Sequence, residues 1–353
     1  MRRFVRHLST TIHPHEPLPF PLHPSPQTFS KTWSNPSLRT PTKFPSTFLP
    51  PLIPAFKSWF LPNSPNELNI PYLNSLSSPS SSLQTTVPVE ITLPSGDVEV
   101  SSFEFDDFLS YLSSPDLDPE IPKLYLTQHP PPLHLLHDLP PPFPHLGFKT
   151  RPPFRKTTTT APPKAQEVEK ERKEEEEKEN PEIDIYSTSL WLSRIPHSIQ
   201  TQTHTPLHRD PTDNIFLQLA SSKIITTIPP LLGDKIFSHL HRHSKLSSTD
   251  PRGRIRDGLL EWKESSVLDR VVWYDENGKK DGEGGELEAE DEIERGVINL
   301  LKSSGEVYKT VVRKGEAVYI PAGWWHSVKS VLPDHTEELE GKGVVASMNW
   351  WFR

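Results

Sequence analysis

The sequence predicts a mainly β fold, an antiparallel barrel or double-sheet jelly roll with a few flanking helices. Three observations carry this. First, the second half of the chain is a series of short β-rich runs: "DIYSTSLWLS" (184–193), "NIFLQLA" (214–220), "KIITTIP" (223–229), "RVVWYD" (270–275), "YKTVVRKGEAVYIP" (308–321), "HSVKSVL" (326–332) and "GVVASMNWWF" (343–352). Second, turns such as "RKGE" and "PAGW" separate several of them. Third, "NIFLQL" has two unlike faces. Asn214, Phe216 and Gln218 share one and suit a ligand cavity. Ile215, Leu217 and Leu219 share the other and suit packing between the sheet and an outer layer.

Along the chain, "MRRFVRHLSTTIHP" carries Arg2, Arg3 and Arg6, several hydroxyl residues and no acid before Glu16. As a helix it would gather Phe4, Leu8 and Ile12 on one face. That pattern is an organellar presequence, mitochondrial above all, with the cytoplasm or nucleus as the alternative. Residues 14–50 are punctuated by proline, and "FLPPLIPAFKSWF" (48–60) has enough apolar residues to pack on something. "SLSSPSSSLQTT" (75–86) is a loop, "VPVEITL" (87–93) a strand closed by "PSGD", and "KLYLT" (123–127) a strand. Helical spacing of Phe105, Phe108, Leu109 and Leu112 predicts a helix over 102–114, capped by Ser101 or Ser102. "HPPPLHLLHDLPPPFPHL" (129–146) is a proline-bound surface loop.

Two low-complexity inserts interrupt this order. Residues 156–182 have no apolar stripe to bury, and 275–294 form an acidic, glycine-rich enlargement. The expected organisation is a presequence and proline-rich disordered start over 1–30, then one domain over 31–353 broken by those two inserts.

Composition narrows the chemistry. The 41 prolines among 353 residues lie largely before residue 165, so the core must be built by the remainder. A net charge of −8 argues against coating nucleic acid. With no cysteine, disulfides, thiolate zinc sites and cysteine nucleophiles are excluded, and any metal falls to His, Asp or Glu. No apolar run is long enough for a membrane span.

The chemistry concentrates in "TPLHRDPTDNIFLQLASSK" (205–223). On an extended segment His208 and Asp210 point to one side, supplying two thirds of a 2-His-1-carboxylate triad of the kind that holds Fe(II) with open positions. The second histidine must come from a distant strand, and His326 in "GEAVYIPAGWWHSV" is the candidate. Lys223 follows His208 by one strand and a turn. A buried ammonium there needs an anion, and the distal carboxylate of 2-oxoglutarate would serve. The "HLHRH" run (239–243) has no companion carboxylates and reads as a solvated loop or helix. "HPHEP" near the start carries no more weight.

These pieces resemble the JmjC-type cupin 2-oxoglutarate oxygenases, nearest the small hydroxylase branch that includes factor inhibiting HIF. "TPLHRD", the asparagine six after the histidine, the lysine fifteen after it, "YIPAGWWH" and "NWWF" carry the likeness, and "KLYLTQH" and "DIYSTSLWLS" extend it. The resemblance implies a double-stranded β-helix core with His208, Asp210 and His326 as iron ligands. Lys223, Thr205 and Tyr125 would hold the distal carboxylate of 2-oxoglutarate, Asn214 and Asn349 would lie near its chelating end, and Trp351 would wall the substrate side. It also implies decarboxylation of 2-oxoglutarate to succinate, with O2 as co-reactant and hydroxylation of a C–H bond, the substrate being a protein side chain. Lysine demethylation, RNA-base hydroxylation and a catalytically inactive interaction scaffold are the alternatives. Substrate identity and oligomeric state are not readable.

Overall fold

The computed structural model describes residues 18–23, 25–76, 85–93, 98–114, 122–150, 181–196, 202–243, 279–280, 283–284, 292–331 and 343–353. The strands that build its two main sheets are β1 (Leu18–Pro19), β2 (Thr42–Phe44), β3 (Thr86–Thr92), β4 (Val98–Glu104), β5 (Lys123–His129), β6 (Ile185–Arg194), β7 (His204–Arg209), β8 (Asp213–Ala220), β9 (Ser222–Ile228), β10 (Tyr308–Arg313), β11 (Ala317–Ile320), β12 (Trp325–Ser330) and β13 (Val344–Phe352). The larger sheet is eight-stranded, in the order β2-β11-β8-β13-β6-β5-β3-β4. The smaller is five-stranded, in the order β1-β10-β9-β12-β7.

From β6 onward the pairing is nested. The first strand pairs with the last (β6 with β13), the second with the second-last (β7 with β12), the third with the third-last (β8 with β11), and the middle two with each other (β9 with β10), all antiparallel. A long hairpin wrapped on itself gives this order, which is the jelly roll the sequence predicts. Its consequence is functional: residues more than a hundred apart, such as His208 and His326, come opposite each other.

The two faces of β8 part as their chemistry requires. Ile215, Leu217 and Leu219 enter the main apolar cluster outside the barrel, with Trp59, Phe108, Leu126 and Trp350. Phe216 joins an interior cluster with Ile225, Val318 and Ile320. All eight residues of β8 are buried, because elements cover both faces of the sheet. Helices α3 (Pro230–His243) and α4 (Glu292–Ser304) pack on the smaller sheet around Trp325. They approach closely because position 296 is glycine; a Cβ there would lie 2.1 Å from His239 Nε2.

Several expectations need correction. Residues 18–23 and 25–30 belong to the fold and are not a disordered leader. β1 pairs with β10, Phe20 joins the interior cluster, and helix α1 (Pro26–Trp33), capped by Ser25, buries Phe29. The helix expected over 102–114 begins only at Phe105, as α2 (Phe105–Ser113), because residues 98–104 pair with β3; no side chain caps it. Its four apolar positions are all buried, as their spacing requires. The run 129–146 is not a surface loop. It forms two short 3-10 turns that bury Leu135, Leu139, Phe143 and Leu146. The "HLHRH" run lies within helix α3, one of the two forms expected of it. The presequence, the "HPHEP" run, the "RVVWYD" strand and most of both inserts lie outside the described residues.

Candidate metal centre

His208 lies near the end of β7, and Asp210 lies just beyond it. The pairing of β7 with β12 matches Thr205 to Val328 and then His208 to His326, so one strand advances three residues while the other advances two. That bulge falls at Pro206, a residue with no N–H to lose from the ladder. It turns Thr205 and His208 toward the same cavity although their odd separation would place them on opposite faces of a regular strand.

The three donors converge. Asp210 Oδ1 is 4.0 Å from His208 Nε2, and Asp210 Oδ2 is 3.6 Å from His326 Nε2. The three ligand atoms lie within 4.8 Å of one another, and among the described residues no other such group of three His, Asp or Glu occurs. Each ring is also set for ligation. His208 Nδ1 donates to the Pro206 carbonyl at 2.9 Å, and His326 Nδ1 donates to the Trp324 carbonyl at 3.1 Å. A carbonyl can only accept, so the proton sits on Nδ1 and the Nε2 lone pair faces the centre. Burial, with His208 beside it, pushes His326 down to about 4, so its imidazole is neutral as a metal ligand must be.

The carboxylate is held as firmly. Trp351 Nε1 donates to Asp210 Oδ2 at 2.7 Å, and Asn214 Nδ2 approaches the same oxygen at 3.4 Å. Asn349 Nδ2 in turn donates to Asn214 Oδ1 at 2.8 Å. The N–H of Gly323 bonds the Asp210 carbonyl at 2.9 Å, which ties the "PAGW" turn to the metal motif. Gly323 has φ +80°, a conformation that glycine adopts without a Cβ clash.

Lys223 occupies the blind end of the same pocket, which encloses about 340 Å³ of empty space counting its mouth. The side chain is 2% exposed. Its ammonium donates to Tyr125 Oη at 3.3 Å and to Ser347 Oγ at 3.0 Å, and the rings of Tyr125, Trp191 and Phe216 surround it. No carboxylate among the described residues pairs with it, and burial alone pushes it down to about 7. The Thr205 side chain lies near the Tyr125 hydroxyl; burial and the charge of Glu90 hold the Tyr125 phenol far above the ordinary value, hence protonated. The structure thus brings together His208, Asp210, His326, Lys223, Thr205, Tyr125, Asn214, Asn349 and Trp351.

A model of the cupin-like domain matches residues 94–353. The chain belongs to the cupin-like domain family. In this cupin-like protein the match spans every strand of the nested jelly roll and all the residues of the centre. A search of curated proteins found no match to the chain.

Sequence reasoning missed three contributors. Ser347 shares a strand face with Asn349 and Trp351, so the period of two in "SMNWW" carried the signal. Trp191 is the cross-strand partner of Ser347 and lines the pocket. Asp213 is 3% exposed and accepts from Trp33, Tyr319 and the Ala322 amide, fixing the turn that precedes β8; nothing local in "DPTDN" announces those partners. Trp351, expected only as a wall of the substrate side, also holds Asp210.

Proposed function

We propose that this cupin-like protein is an Fe(II)- and 2-oxoglutarate-dependent dioxygenase of the JmjC type, in the small hydroxylase branch, acting on a protein side chain and releasing succinate and CO2. The observation that carries the reading is Lys223. A buried ammonium without a carboxylate partner is costly, and this one sits at the closed end of a pocket whose other end is a His-Asp-His group. An elongated dianion with a chelating end satisfies both.

The donor set fits iron. Two imidazoles and one carboxylate on one side of a centre leave the other side free, the arrangement suited to non-haem Fe(II). His208, Asp210 and His326 would hold the metal. Fe(II), when bound, supplies O2 activation coupled to oxidative decarboxylation of 2-oxoglutarate. The chain's own part is positional. The carbonyls of Pro206 and Trp324 fix the imidazoles, and Trp351 and Asn214 fix the carboxylate. Lys223, with Tyr125, Thr205 and Ser347 about it, would hold the distal carboxylate by charge-assisted hydrogen bonds. Phe216, Ile320 and Val328 line the pocket with apolar surface, which limits water and strengthens those bonds. The protein side-chain substrate rests on the branch resemblance, and a mitochondrial location rests on the arginine- and hydroxyl-rich start.

The test is 2-oxoglutarate consumption by the purified full chain with Fe(II) and ascorbate, without prime substrate. Metal-dependent succinate release is expected. Tight metal binding with no consumption would favour an inactive scaffold instead.

A further inference from the structure

The blind end of the pocket is rich in donors and poor in acceptors. Lys223 brings an ammonium with three N–H bonds, and Tyr125, Thr205 and Ser347 bring one hydroxyl each. One more donor is present, the indole N–H of Trp191. It is buried, and no acceptor among the described residues meets it. A buried donor left without an acceptor is unfavourable, and native folds keep few of them.

Two placements show which side this indole serves. Trp191 on β6 stands directly across from Ser347 on β13, and cross-strand partners project to the same face of a sheet. Ser347 is the residue whose hydroxyl holds the Lys223 ammonium at 3.0 Å. Independently, the ammonium lies 5.6 Å from the centre of the Trp191 ring, and the Tyr125 ring lies 6.0 Å from it. Trp191 is therefore part of the same end wall as Lys223.

Resting on the proposed 2-oxoglutarate chemistry, we infer that Trp191 is a specificity-determining residue whose indole N–H donates to the distal carboxylate of the cosubstrate. Lys223 alone, a point charge on a flexible stem, would accept a carboxylate in several orientations. A second donor on a rigid ring fixes the other oxygen, and the carboxylate has lone pairs enough for both. The indole also closes the end of the cavity, so the ligand is read for the position of its terminal anion as well as for its charge.

The experiment compares two ligands on the full-length wild-type protein and its Trp191→Phe variant. One is 2-oxoglutarate. The other is 2-oxovalerate, which keeps the chelating end and replaces the distal carboxylate with a methyl group. Binding is read as the ligand-induced shift in melting temperature with Mn(II) in place of iron, without turnover. Trp191→Phe keeps an aromatic plate and removes the N–H. The expected result is about tenfold weaker 2-oxoglutarate binding, ~1.4 kcal/mol, with the weak binding of 2-oxovalerate unchanged. Equal 2-oxoglutarate affinity in variant and wild type, or equal weakening of both ligands, overturns the inference while leaving the oxygenase reading standing. Wild-type protein that shows no 2-oxoglutarate-dependent shift overturns that reading, and the inference with it. Should Trp191→Phe fail to fold, the wild type labelled with ¹⁵N at its indoles decides. A resonance at the pocket end that moves with 2-oxoglutarate and not with 2-oxovalerate supports the inference, and identical spectra with the two ligands overturn it.

Discussion

The indole of Trp351 donates to the carboxylate of Asp210 at 2.7 Å across 141 positions of sequence. The last strand of the jelly roll therefore orients a metal-ligand candidate just beyond the end of its second. Outer partners of this kind set ligand geometry, and their loss typically lowers metal affinity by about 10–100-fold. Trp351→Phe is expected to keep the fold and weaken Fe(II) or Co(II) binding by about that range in a metal titration. Unaltered affinity would show that the hydrogen bond does not position Asp210.

His208→Ala and Asp210→Ala should each abolish metal-dependent turnover of 2-oxoglutarate, since either change leaves two donors where three converge. Succinate release measured with saturating iron checks this. Full turnover by Asp210→Ala would end the assignment.

Lys223→Met removes a buried charge and keeps most of the stem. Without ligand, the variant should melt several degrees higher than the wild type at neutral pH, at about 2–4 °C per kcal/mol, because the ammonium is desolvated and has no anionic partner among the described residues. The apparent KM for 2-oxoglutarate should rise by about one to two decades, at ~1.4 kcal/mol per decade, with metal binding little changed. Paired thermal melts and turnover curves test both halves. An unaltered KM would take the cosubstrate away from this position.

The pH dependence follows from the same group. Folding without ligand lowers Lys223 from its usual value to about 7, so the unfolded chain holds that proton more tightly. The resulting contribution to apo stability is complete above about 10.5 and is lost as pH falls toward 7. Carboxylate binding opposes this by favouring the charged form, so ligand binding takes up a proton above pH 7. The KM for 2-oxoglutarate should be flat below about pH 7 and rise with pH above it, by up to about tenfold per unit. Lys223→Arg, charged throughout, should remove the slope. Equal slopes in both proteins would place the titrating group elsewhere.

Phe20 packs inside the barrel with Phe216 and Ile320, two residues that also line the pocket. Removing residues 1–14 should leave the melting temperature unchanged while moving a fluorescent fusion out of mitochondria. Removing residues 1–23 should lower both the melting temperature and the affinity for 2-oxoglutarate, since it strips β1 and Phe20 from the barrel wall. An equally stable protein without residues 1–23 would show that this segment is not part of the core, and a full-length fusion already in the cytosol or nucleus would remove the presequence.

Much of this protein was legible in one dimension because its signals are local. The period of two in "NIFLQL" assigned Asn214, Phe216 and Gln218 to the cavity and Ile215 to the outer layer, since side-chain alternation follows from strand geometry alone; Asn214 and Phe216 do line the pocket, whereas the buried Gln218 amide donates to the Ala220 carbonyl instead. The candidate metal donors were legible because few residue types ligate a metal in a chain without cysteine and a two-residue spacing brings a pair together. Lys223 stood out because an ammonium expected inside a strand needs an anion. Tertiary structure decided what depends on distant partners. The bulge at Pro206, which brings Thr205 round to the side of His208, exists only against β12. The strand of residues 98–104, where a helix cap was expected, exists only against β3. Leu135 and Phe143, in a run that local proline content marks as exposed, are buried because other segments supply their contacts. Sequence periodicity fixes which way a side chain points from its own strand, and only the packed fold determines what it meets there.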